Sequence, residues 1–90
     1  MSIAYARQCL GVAIRILVNS RGTVKSRVRT SASELHPLMV EPVIEACPAE
    51  FQEKFDELQG VLSHLSDRQA PEAAGLMLEL YLLAIESDAS

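Results

Sequence analysis

Apolar residues fill almost every position from Ile3 to Val18, while Arg7, Gly11 and Arg15 fall at steps of four, with Asn19 continuing the series. Four-residue steps drift slowly round a helix, so the pattern predicts one helix over Ile3–Val18 with a single narrow polar stripe. Gly22 supplies a stop signal shortly after it. From Thr23 to Leu35 the spacing of Val24, Val28, Ala32 and Leu35 predicts a shorter amphipathic helix, with Lys25, Arg29 and Ser33 on another face, Arg27 on the flank and Thr23 as N-cap. Pro37 disfavours helical geometry at His36 and predicts the end there.

Residues 37–47 are apolar but interrupted by Pro37 and Pro42, which predicts a packed connector with at most one helical turn, at Val43–Ala46. The third helix is the clearest element. Pro48 suits its first position, Glu50 and Glu53 place negative charge near its positive end, and Phe51, Phe55, Leu58, Leu62 and Leu65 recur at steps of four, three, four and three. A fourth helix is predicted to begin between Asp67 and Glu72 and to run to about Glu86, with Ser87–Ser90 frayed. Its acids Glu72, Glu79 and Glu86 stand seven apart, and apolar residues wrap most of the remaining circumference. The fold class is therefore all-α: a small bundle of about four helices with a proline-broken connector between helices two and three, in one helical domain over residues 1–90.

Composition sharpens this picture in two ways. Ninety residues bury only about 64% of their unfolded surface, a thin margin that small proteins commonly widen by association. A surface helix normally needs an apolar arc of a little over 100°, and the first and last helices carry far more than that. An apolar surface left over after folding is expected to be hidden in a partner, most simply a second copy. The expected contact residues are Leu10, Ile14, Leu17, Met77, Leu80 and Tyr81. Helical neighbours could also bring Arg7 and Arg15 against Glu72, Glu79 and Glu86, setting register more than stability.

Charge is divided along the chain. Residues 1–33 hold six of the eight basic residues and no acid, whereas all twelve acids lie from Glu34 onward. The segment 21–29 carries Arg21, Lys25, Arg27 and Arg29 among hydroxyl residues, a mixture that suits phosphate. Against nucleic acid stand the net charge of −4 and the lack of aromatic residues among these cations. Residues 1–33 also share the make-up of an organelle transit peptide, but we read them as a folded helix.

Catalytic and cofactor signatures are not visible. Cys9, His36, Cys47 and His64 are spaced by 27, 11 and 17 residues, which matches no zinc pattern, so no metal or other cofactor is expected. Gly11, Gly22, Gly60 and Gly75 are isolated and make no phosphate loop. The two cysteines sit in apolar stretches, which fits a reduced, cytoplasmic setting, and Leu10–Val18 is cut by Arg15 and too short to span a membrane. The sequence thus points to a non-enzymatic helical interaction module, an adaptor, chaperone or regulatory subunit, that associates with itself or with another helical protein. The alternative is a nucleic-acid- or phosphate-binding regulator using segment 21–29. A small enzyme or ligand carrier is a third reading, resting on unfilled space between apolar helices.

Overall fold

A computed structural model describes residues 3–40 and 47–89. In chain order they form α1 (Ile3–Asn19), α2 (Val24–Ala32), a single 3₁₀ turn (Ser33–Leu35), α3 (His36–Val40), α4 (Ala49–Ser63) and α5 (Ala70–Ala89). The class is all-α, as the periodicity predicts, and α5 packs chiefly between α1 and α4. The radius of gyration is 12.2 Å, the value expected of a compact chain of ninety residues.

Local chemistry sets the boundaries. Gly22 adopts φ of +110°, a conformation open to glycine but strained for other residues, and this turn separates α1 from α2. Thr23 then caps α2, its Oγ1 accepting from the Ser26 amide at 3.1 Å. Pro48 stands one position earlier than expected, as the N-cap of α4, and the Gln52 side-chain amide donates to the Cys47 carbonyl at 2.8 Å. At the other end of α4 the Ser63 hydroxyl donates to the Gly60 carbonyl at 2.9 Å. Before α5, Ser66 accepts from the amides of Gln69 and Ala70 through its carbonyl, which folds residues 66–70 into a turn that leads straight into the helix.

The structure corrects the sequence expectation at Pro37. The chain does not leave helical geometry at His36 but continues as α3. In a regular α-helix the Ser33 carbonyl would need the amide that Pro37 lacks. Here the ladder tightens to i→i−3 just ahead of the proline, and the His36 amide donates to Ser33 instead. The proline then sits in the first turn of a new helix, where no donor is required. At the C-terminus, the residues expected to fray continue α5 as far as Ala89. The turn expected at Val43–Ala46 lies outside the described residues.

The core is aliphatic and small-residue-rich. Ala6, Leu10, Ala13 and Leu17 of α1 meet Ala73, Met77, Leu80 and Ala84 of α5, while Phe51, Phe55 and Leu58 bring the α4 seam against them. The Phe51 and Phe55 rings stack at 6.4 Å between centroids. Val28, Leu35 and Leu38 close the end under the 3₁₀ turn. One polar side chain, Ser31, is fully buried among them; its hydroxyl donates to the Val28 carbonyl at 3.0 Å and lies 3.6 Å from Met77 Sδ. Its place three after Val28 and four before Leu35 sets it on their face of the helix, whereas Thr30 and Ser33 turn outward.

Candidate interaction surface

The outer face of α5 lies opposite its buried one. Core residues Ala73, Met77, Leu80 and Ala84 follow one another at steps of four, three and four. The same steps, begun at Pro71, lead through Gly75, Leu78 and Leu82 on the far side of the helix. Leu78 retains 46% and Leu82 59% of its free exposure. Nothing lies within 4 Å of the place a Gly75 side chain would begin, so the ridge is open at that point. Large apolar side chains therefore stand in solvent on the very helix whose inner face is rich in alanine.

Four of the six residues expected to form an interface are corrected by this arrangement. Leu10, Leu17, Met77 and Leu80 belong to the core of this one chain and offer no surface to a partner. Ile14 and Tyr81 are half-buried. Among the described residues the exposed large apolar side chains are Leu78, Leu82, Val12, Val18 and Val24 instead. Both helices are apolar nearly all round, so periodicity alone could not say which side turns inward.

A groove borders the ridge on each side, and the two differ in charge. Towards α1, a groove of about 520 Å³ is lined by Arg7, Gln8, Gly11, Val12, Arg15 and Tyr81. Among the described residues it contains two arginines and no acid. Tyr81 forms its wall over Gly11, where an added Cβ would stand 3.5 Å from the ring. Towards α4, a groove of about 300 Å³ is lined by Glu50, Lys54, Glu79, Leu82, Leu83 and Glu86. It contains three glutamates against one lysine. Lys54 Nζ lies 2.9 Å from Glu79 Oε2, and this hydrogen bond, more than any other influence, holds the ammonium pKa above its ordinary value. Glu79 thus turns to α4, not to the arginines of α1, and the seam between Arg7, Arg15 and the α5 acids that the spacing allows does not form through it.

The basic segment is only partly assembled. Lys25 and Arg29, one turn apart on α2, line a groove of about 330 Å³ with Thr23, Ser26 and Thr30. Arg21 stands in the preceding turn, and neither it nor Arg27 lines this groove. The Arg27 Nε atom is buried and finds no hydrogen-bond acceptor among the described residues. Two of the four cations converge and two do not.

Cys9 is half-buried on α1 and Cys47 is buried, and neither takes part in a disulfide. Burial raises the pKa of each, and at Cys9 the Glu34 charge adds to the rise while a hydrogen bond with Tyr5 opposes it. Such thiols are poor nucleophiles at neutral pH. His36 and His64 are exposed, and among the described residues no three His, Cys, Asp or Glu side chains gather as a metal site. No helix among the described residues is long and apolar enough to cross a membrane. Comparison of the chain with protein-family models, with curated proteins and with solved structures gives no match.

Proposed function

We propose that this chain is a non-enzymatic helical interaction module that self-associates through the outer face of α5. The observation that carries the reading is the exposure of Leu78 and Leu82 at consecutive turns of the helix side that faces away from the core. Removing such a contiguous apolar strip from water favours association, and a closed two-fold pair is the commonest way of doing so. An adaptor, chaperone or regulatory subunit of the cytoplasm fits this surface, and two cysteines outside any disulfide suit a reducing compartment.

Sedimentation velocity over a concentration series tests the reading. The wild-type chain is expected to shift from monomer to dimer as concentration rises. Leu78→Glu and Leu82→Glu are expected to remain monomeric with an unchanged helical circular-dichroism spectrum, since each charge replaces a side chain that is about half exposed on the outer face. A wild-type chain that stays monomeric throughout refutes the proposal. A labelled short duplex in the same cell, if it co-sediments at low salt and is released as salt rises, moves the function to the groove of Lys25 and Arg29.

A further inference from the structure

We propose that the partner seated on the α5 ridge is a second copy in parallel orientation, the two-fold axis running along α5 so that each basic groove faces the other copy's acidic groove. The inference rests on the self-association reading above and adds the geometry of the pair. Its warrant is the order of features across the surface. Arg7 and Arg15 lie on the α1 side of the ridge, Leu78 and Leu82 form its crest, and Glu50, Glu79 and Glu86 lie on the α4 side, where Lys54, paired with Glu79, offsets one of the three negative charges.

Only two arrangements place one ridge on another about a two-fold axis in the plane of contact. With the axis perpendicular to α5 the helices run antiparallel, and each flank meets its own kind: arginines meet arginines and glutamates meet glutamates. With the axis parallel to α5, rotation exchanges left and right, and the arginine flank of each copy meets the glutamate flank of the other. Both bury the same leucines, so apolar area does not choose between them. Charge does, because like-charge contacts disfavour one arrangement and opposite charges favour the other twice over. The side-by-side dipoles of parallel helices oppose this choice weakly, an effect confined to the terminal turns. The flanking charges line both grooves beside the crest.

A parallel two-fold puts each ridge position opposite itself, which a single cysteine can report. The background is Cys9→Ser with Cys47→Ala, so that no native thiol competes. Gly75→Cys fills open space, and Leu82→Cys replaces an exposed side chain, so both are expected to fold. The two positions lie about 10 Å apart along the helix. In the parallel pair each cross-links to its own copy on mild oxidation. In an antiparallel pair at most the one nearer the axis does so, and that result overturns the proposal while leaving self-association intact. A non-covalent readout is Arg15→Glu, which is expected to weaken dimerisation about two- to fivefold at low salt. Unchanged or tighter dimerisation of Arg15→Glu is the antiparallel result and also overturns the proposal. A background chain that does not dimerise at any concentration instead removes the reading on which the proposal rests.

Discussion

Leu80 and Leu82 are two positions apart on α5, yet replacing each by alanine has sharply different consequences. Leu80 is fully buried and Leu82 keeps 59% of its exposure. Leucine to alanine removes three carbons, worth about 2.4 kcal/mol at about 0.8 kcal/mol per buried methylene-sized group. At Leu80 the loss is complete and leaves a hole among Leu10, Met77 and their neighbours, bringing the total to about 3–4 kcal/mol. At Leu82 only about two fifths of the burial is lost and water fills the gap, so the cost is about 1 kcal/mol. A chain of ninety residues has about 5–13 kcal/mol of stability, so Leu80→Ala still folds but with much of its margin gone. Urea denaturation followed by circular dichroism reads the difference as a midpoint shift about three times larger at Leu80, with the slope unchanged. The comparison belongs at the lowest workable concentration, because association adds its own stabilisation to the native state. As concentration rises, the Leu82→Ala deficit is expected to grow and the Leu80→Ala deficit to hold. Equal losses at the dilute limit would refute the orientation of α5 and with it the ridge.

Two further outcomes follow from local chemistry. Thr23→Ala removes the oxygen that accepts from Ser26 and is expected to cost about 1 kcal/mol, whereas Thr23→Asp keeps an acceptor and most of the stability; thermal unfolding of the pair distinguishes a cap from an idle hydroxyl. Burial raises the pKa of the Cys47 and Cys9 thiols, so the folded chain keeps protons that the unfolded chain sheds above about pH 8.5. Their contribution is therefore present in full below that pH and is lost as pH climbs through the folded values. Between pH 8 and 9.5 the urea midpoint is expected to fall, and to fall less in the Cys9→Ser, Cys47→Ala chain; parallel declines would exclude the thiols as the cause.

How far the sequence alone could go depended on whether each helix carried a polar face. On α4, water-facing Glu53, Asp56 and Glu57 alternate with the predicted seam, of which Phe51, Phe55 and Leu58 are buried while Leu62 is half-buried and Leu65 lies half-buried beyond the helix end. The Thr23 cap was legible for a similar reason, since a hydroxyl ahead of an amphipathic run has one obvious use. On α1 and α5 the polar stripe is narrow, so polarity marks one outward edge and leaves much of the circumference undecided. Size adds only part of the answer: Ala6, Ala13, Ala73 and Ala84 lie on the inward side, but so do Leu10, Met77 and Leu80, while Ala4 is exposed. Pro37 misled because the usual rule assumes an unbroken i→i−4 ladder, and a single 3₁₀ turn removes that assumption. The partner of Glu79 is a tertiary fact, decided by which neighbour α5 turns that edge towards. Of the basic segment, the sequence foretold the charges but not that Arg27 would leave the groove of Lys25 and Arg29.

The alanines between α1 and α5 also govern how this chain can change over generations. Ala6, Ala13, Ala73 and Ala84 are wholly enclosed, and a larger side chain at any of them must push two helices apart. Their exchange for bulkier residues is closed to drift, whatever the protein is used for. Leu78 and Leu82 are under no such internal constraint, because the fold leaves them in solvent. If the ridge has no occupant, descendants of this chain should trade those leucines freely for polar residues while holding the alanines fixed. If it has one, both sets are held together, the first by the fold and the second by the company the helix keeps.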